Sequence, residues 1–147
     1  MITPRVLSAY VAVLAAAAAG CSSQPPEYQP PPGELVAGTA QVTVNGQDLG
    51  TTESVQCTAT GPLTTITTGD EASGISALIA SEDELVVKEV GVRDLGGFTG
   101  SYNAGLGGEA TVGMMGRTYG LTGTMYGFET AKPSFRASGT FEIKVAC

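Results

Sequence analysis

The side chains that could perform catalysis form a restricted set, because the chain of 147 residues contains no histidine. Histidine is the commonest general base in enzymes, so a serine triad or a cysteine–histidine dyad of the usual kind is excluded. Lysine could act as the base instead, but the sequence contains no Ser-x-x-Lys motif. We therefore predict that the protein is not an enzyme and has no catalytic residues.

Two other patterns could bind ligands. The acidic run at residues 81–84, Ser-Glu-Asp-Glu, could bind calcium weakly through its carboxylates, but no Asp-x-Asp-x-Asp-Gly loop surrounds it. Glycine runs at residues 96–100 and 105–108 lack the Lys-Ser/Thr ending of a phosphate-binding loop. A solvated turn explains the first pattern and glycine-containing turns or bulges explain the others. The sequence thus predicts neither a metal site nor a cofactor site.

Methionine, tyrosine and phenylalanine side chains are concentrated in the last third of the sequence. Because methionine repacks easily, they could line an adaptable apolar pocket. The simpler interpretation is an ordinary β-sheet core, and a carrier of a lipid or other small apolar ligand is kept as the alternative function. The residues concerned are Tyr102, Met114, Met115, Tyr119, Met125, Tyr126 and Phe128.

The amino terminus has the three parts of a secretory signal peptide. Arg5 is followed by a largely apolar run at residues 6–19 and then by Gly20 and Cys21. This run is shorter than the roughly 20 apolar residues that a transmembrane helix needs. Residues 18–21, Ala-Ala-Gly-Cys, resemble a bacterial lipobox, in which the cysteine thiol is lipidated and becomes the new amino terminus. We predict lipidation, including a palmitate-type acyl chain, at Cys21.

With Cys21 lipidated, the two remaining cysteines, Cys57 and Cys147, should form a disulfide in the oxidising compartment outside the cell membrane. Two free buried thiols are the alternative. Such a bond would close a loop of about 90 residues and stabilise the fold by roughly 4–5 kcal/mol at most.

The chain divides into three parts by composition. We predict a lipoprotein signal peptide at residues 1–20, a lipidated cysteine with a proline-rich linker at 21–38, and a β-rich domain at 39–147. The linker holds five of the eight prolines, so it should be extended and reach up to about 50 Å from the membrane. The net charge of −7 argues against a nucleic-acid partner and favours a soluble monomer.

Alternating apolar residues predict an all-β domain with at most one short helix. Residues 41–44 alternate and lead into Asn45-Gly46, the strongest short signal for a hairpin. Residues 54–60 would place Cys57 on the core face of a strand, residues 74–80 form a strand or a helix, and residues 85–95 form a longer strand. The last strand should bury alternate residues: Phe135, Ala137, Gly139, Phe141, Ile143, Val145 and Cys147. We expect an antiparallel sheet curled into a sandwich or half-barrel and closed by one disulfide.

Several short segments, in this order, resemble the mycobacterial 19-kilodalton lipoprotein antigen family. They are AAGC at residues 18–21, VTVNGQ at 42–47, SVQCT at 54–58, ASGISALI at 72–79 and FEIKVAC at 141–147. The resemblance implies a lipoprotein antigen on the outer face of the bacterial cell membrane, with a Cys57–Cys147 bond. It also implies a lipidated amino terminus that host Toll-like receptors, which are pattern-recognition receptors, can sense. The predicted function is therefore a membrane-anchored antigen with a non-catalytic binding role.

Overall fold

The structure, a computed structural model, describes Gly20 and residues 24–147. Among these residues there is no helix, and the chain forms ten β-strands. They are β1 (Ala40–Val44), β2 (Gln47–Thr52), β3 (Val55–Thr60), β4 (Leu63–Gly69), β5 (Gly74–Ser81), β6 (Leu85–Leu95), β7 (Phe98–Asn103), β8 (Ala110–Met115), β9 (Thr118–Glu129) and β10 (Ala137–Ala146). The predicted all-β class is confirmed, and the segment for which a helix was the alternative is strand β5.

All ten strands belong to one antiparallel sheet, in which nine strands follow the order β2-β1-β10-β9-β7-β6-β5-β4-β3 and β8 pairs with β9 outside this order. Strand β9 is long enough to pair with β8 along its first half and with β7 along its second half. A disulfide joins β3, at one edge of the sheet, to Cys147, which follows β10. The sheet is therefore curled into a nearly closed, barrel-like shape, and the predicted curled sheet with one disulfide is confirmed.

The turn between β1 and β2 follows the prediction from Asn45-Gly46. Both residues have positive φ angles, 52° and 78°, as a two-residue type I′ turn requires. The Asn45 side-chain oxygen accepts a hydrogen bond of 2.9 Å from the Thr140 backbone N–H, so the turn is attached to β10. Next to it, a Cβ atom on Gly139 would lie 2.7 Å from that same oxygen and 2.9 Å from the Phe98 ring. Glycine is therefore required at position 139, because a side chain there has no space between Asn45 and Phe98.

Strand β10 shows the predicted alternation, with Phe141, Ile143 and Val145 buried and Glu142 exposed. The prediction was wrong for Phe135, which is 72% exposed and precedes the strand. Its backbone N–H donates to the Lys132 carbonyl, so the chain is still in a turn there and sheet pairing starts only at Ala137.

The core consists of the inward faces of the curled sheet. Strand β6 contributes Val87, Val90 and Val92 to it, a spacing that simple alternation does not give. The pairing register between β5 and β6 shifts between Leu78 and Ile79, and this bulge turns both Val87 and Val90 inward. The largest fully buried side chains are Val44, Ile66, Ile75, Ile79, Val90, Val92, Phe98, Leu121, Met125, Ile143 and Val145.

Strand β3 differs from the prediction in how it is buried. Val55 is partly buried, but Cys57 and Ala59 are exposed, although they share its face. The reason is position: β3 is the edge strand, paired only with β4, and the core lies beneath β4, where Ile66 opposite Cys57 is buried.

Candidate functional site

The predicted lipidation site, Cys21, and residues 1–19 of the predicted signal peptide lie outside the described residues. No membrane-spanning helix is found within residues 24–147. Among the described residues, the candidates for a functional role are the disulfide, the segment that leads into the sheet, and the exposed surfaces at the two ends of β9.

The disulfide joins the edge strand β3 to the end of β10, the third strand from the other edge of the sheet. Cys57 and Cys147 are 90 positions apart in the sequence and their Cα atoms are 5.9 Å apart. Cys147 is partly buried against the core, and the Arg117 guanidinium donates a hydrogen bond of 3.4 Å to its carbonyl oxygen. Since β3 has no other neighbour besides β4, this bond restrains the edge strand against the end of β10.

Residues 31–38, here called the connecting segment, are packed onto the sheet. The segment starts with a turn in which the Glu34 N–H donates to the Pro31 carbonyl at 3.0 Å, and Gly33 within it has a φ of 88°. Proline followed by a glycine with positive φ is the signature of a type II turn. A second link follows at the end of the segment, where the Gly38 N–H donates to the Ala146 carbonyl at 2.8 Å.

The central contact of the connecting segment is with the turn between β8 and β9. The Leu35 backbone N–H donates a hydrogen bond of 2.9 Å to the Thr118 hydroxyl, and Thr118 is buried although it is polar. A Cβ atom on Gly33 would collide with the Met115 sulfur, and one on Gly116 would collide with the Glu34 carboxylate. These contacts hold the connecting segment against the β8–β9 hairpin, where the chain enters the domain.

A shallow groove of about 260 Å³ lies on the outer face next to the connecting segment. Its floor includes Gly113 and Gly120, which pair across β8 and β9 and leave open space above them. Met114 and Met115 line the groove together with Lys144. The two methionines remain 47% and 53% exposed, so this is an apolar surface with a positive charge at its side.

A second exposed surface, here called the distal patch, lies towards the other end of β9. Leu106, Tyr126 and Phe135 are exposed there, and Arg136 lines three neighbouring grooves with them, of about 380 to 550 Å³. Exposed aromatic and arginine side chains are the residue types enriched in protein–protein interfaces. Sequence reasoning missed this patch because it assigned Phe135 to the core.

The methionine, tyrosine and phenylalanine residues that could have formed one pocket are distributed over three places. Met125 is fully buried and Tyr102 and Tyr119 pack against the core. Met114 and Met115 line the groove beside the connecting segment, whereas Tyr126 belongs to the distal patch. The structure therefore does not assemble them around one ligand.

In the acidic run, Ser81 is the last residue of β5, and residues 82–84 form an exposed turn between β5 and β6. Among the described residues, no three histidine, cysteine, aspartate or glutamate side chains are placed to hold a metal ion together. The glycine runs are also turns: Gly96 and Gly97 connect β6 to β7, and residues 105–108 lie between β7 and β8.

One carboxylate is distinguished by its hydrogen bonds. In the turn between β4 and β5, the backbone N–H groups of Ser73 and Ala72 donate to Asp70 Oδ1 at 2.9 and 2.8 Å. These two bonds, with a smaller attraction from the Arg93 guanidinium, hold the pKa of the Asp70 carboxyl below its usual range. Arg93 also donates to the Asp70 carbonyl at 2.8 Å. The arrangement stabilises a turn and leaves this carboxylate ionised.

A family model described as the Mycobacterium 19 kDa lipoprotein antigen matches residues 33–147. The chain belongs to this family. The resemblance inferred from the sequence segments is thus confirmed, and the chain is placed among the lipoproteins that are anchored to a membrane of the cell envelope. The matched region begins inside the connecting segment.

Similar proteins carry lipoprotein names. A putative lipoprotein of Mycobacterium indicus pranii is 34% identical over 144 residues, which cover 97% of this chain and 98% of the relative. Lipoprotein LpqH of Mycobacterium avium is 37% identical over 112 residues, or 76% of this chain and 69% of the relative. Lipoprotein LpqH of Mycobacterium tuberculosis H37Rv is 35% identical over 112 residues, or 76% of this chain and 70% of the relative.

Proposed function

We propose that the protein is a lipoprotein antigen held by acyl chains on Cys21 at the extracytoplasmic face of the cell membrane, with a non-catalytic interaction role. The observation that carries this proposal is the family match over residues 33–147, preceded in the sequence by Ala-Ala-Gly-Cys at residues 18–21. Removal of residues 1–20 would leave the lipidated cysteine, the linker at 21–38 and the domain at 39–147.

The proposal of a non-catalytic role is supported by the residues available for chemistry. The sequence has no histidine, and the commonest general base is therefore missing. Asp70 stabilises a turn through its hydrogen bonds, and Thr118 holds the connecting segment. The distal patch, with Tyr126, Phe135 and Arg136 exposed, supports a protein interaction instead, because such side chains dominate binding energies at interfaces.

The lipidated amino terminus would also be the part that a host Toll-like receptor senses. The domain is compatible with this role because it is attached through residues 24–30, which are largely exposed and contain three prolines. A proline-rich connection is extended and keeps the acyl group apart from the folded sheet. On this proposal, receptor activation depends on the acyl chains and not on the fold of the domain.

The anchor is tested with the full chain produced in a mycobacterial host. Cys21→Ala should move the protein from the membrane fraction to the soluble fraction and abolish incorporation of labelled palmitate. Ser22→Ala, which changes the neighbouring residue but leaves the Cys21 thiol in place, is the matched control and should remain in the membrane fraction. If Cys21→Ala stays in the membrane fraction, the anchoring proposal is wrong.

The receptor role is tested with the same two variants. Purified Ser22→Ala protein should activate Toll-like receptor reporter cells, and Cys21→Ala protein should not, at equal concentrations and with equal circular dichroism spectra. Equal activation by both variants would show that the acyl chains are not what the receptor detects.

A further inference from the structure

The position of the connecting segment determines which end of the domain lies nearest to Cys21. Its contacts at Leu35 and Thr118 fix the chain beside the turn between β8 and β9. Pro31, where the segment begins, is ten positions after Cys21, and a fully extended chain of this length spans at most about 35 Å. A lipid on Cys21 would therefore keep the β8–β9 turn within about 35 Å of the bilayer.

The surface at this turn has the chemistry of a membrane contact. Met114 and Met115 are half exposed, and an unbranched thioether side chain adapts its shape to irregular surroundings. Arg117 is exposed in the turn and Lys144 lines the adjoining groove, so two positive charges accompany the methionines in a chain of net charge −7. Glu34 brings an opposing charge and lies over Gly116, while the Arg117 guanidinium also donates to the Cys147 main-chain oxygen.

We propose that Met114, Met115, Arg117 and Lys144 form a membrane-facing surface that rests on the anionic lipid bilayer carrying the Cys21 anchor. The methionines enter the boundary between headgroups and acyl chains, and the two cations contact lipid phosphates. This inference rests on the proposed anchoring at Cys21. The surface is too small to bind a membrane by itself, but the anchor keeps it at a high effective concentration next to the lipid.

This orientation of the domain on the bilayer also determines where the distal patch points. Tyr126 is eight residues further along β9 than Thr118, which corresponds to about 26 Å at the rise of an extended strand. With the β8–β9 turn on the bilayer, Tyr126 and Phe135 are directed away from it. The domain would thus present one apolar surface to the lipid and the other to partners outside the cell.

The test is oxidative footprinting of the lipidated mature protein in vesicles of phosphatidylglycerol and phosphatidylcholine, read by peptide mass spectrometry. Oxidation of Met114 and Met115 should be slower by about threefold or more than in the Cys21→Ala chain mixed with the same vesicles, because methionine oxidation follows exposure. Phe135 should be labelled equally in both, and Met125, which is fully buried, should react slowly in both.

Charge variants provide a second measurement on folded protein. Arg117→Glu combined with Lys144→Glu should remove the protection of Met114 and Met115 on the anionic vesicles. Lys132→Glu, a single charge reversal in the β9–β10 loop, is the control for charge reversal away from this turn and should retain it. Unprotected methionines in the vesicle-bound wild-type protein, or protection of Phe135 in their place, would overturn the proposal.

A failure of the anchor can be separated from a failure of this surface. If the protein purified from the host carries no lipid, the mature chain is coupled through the Cys21 thiol to a maleimide lipid in the same vesicles, and the footprint is repeated. Protection of the methionines in the coupled protein supports the membrane-facing surface even without natural lipidation. Absence of protection there rejects the surface independently of how the anchor is made.

Discussion

Removing the Cys57–Cys147 cross-link should lower the free energy of unfolding by about 4–5 kcal/mol, almost entirely through the unfolded chain. The two cysteines are 90 positions apart, and closing a loop of this length removes conformational entropy worth about 4.6 kcal/mol at 25 °C. Cys57 is exposed and Cys147 is only partly buried, so little packing is lost when both are replaced. The native fold should therefore survive in the Cys57→Ala, Cys147→Ala protein.

The measurement is urea unfolding followed by circular dichroism, since the sequence has no tryptophan. With an m value of about 1.5 kcal/mol per M, the midpoint should fall by about 3 M. The m value itself should rise, because an unfolded chain without the cross-link exposes more surface.

Reduced wild-type protein is the control for this prediction, because it has the same sequence without the bond. Its unfolding curve should coincide with that of the double alanine variant. A loss of less than about 1 kcal/mol would contradict the loop-entropy argument. A curve for the variant well below that of reduced wild type would mean that the cysteine side chains contribute packing that their exposure does not suggest.

Three further predictions concern individual contacts. Gly139→Ala should destabilise the fold by about 1–3 kcal/mol in urea unfolding because its Cβ has no space, whereas Gly120→Ala, above which space is open, should change the stability far less. Thr118→Val should leave the Leu35 N–H without its acceptor and cost about 1 kcal/mol, with faster hydrogen exchange at Leu35; unchanged exchange would contradict this. The lowered pKa of Asp70 stabilises the fold above the unfolded pKa near 4 and loses this effect as the pH falls through the folded value. Asp70→Asn should therefore be less stable than wild type at pH 7, with a difference that shrinks below pH 4; a constant difference would refute the assignment.

The elements of the fold could be predicted from the sequence wherever a local rule was sufficient. Asn45-Gly46 determines its own turn because both residues tolerate the positive φ that the hairpin needs. The alternation in β10 predicted the correct inward face from Ala137 onwards, since side chains in a strand point to opposite sides in turn. The partners of the disulfide followed from counting cysteines once Cys21 was assigned to lipid.

The remaining features depend on contacts between distant parts of the chain. The bulge that turns both Val87 and Val90 inward arises from the register between β5 and β6, and the exposure of Cys57 arises from the place of β3 at the sheet edge. Neither the order of strands nor the bulge is encoded in the alternation of a single strand.

The candidate surfaces show the same division between sequence and structure. The sequence by itself determined that the chain carries a cysteine suited to lipidation, a proline-rich connection and no histidine, because these are properties of residue types and local order. Only the tertiary structure decided that Leu35 binds Thr118, 83 positions away, and that Met115 therefore lies where the chain enters the domain. Such a contact brings together residues without local signals, and its position depends on the curl of the whole sheet.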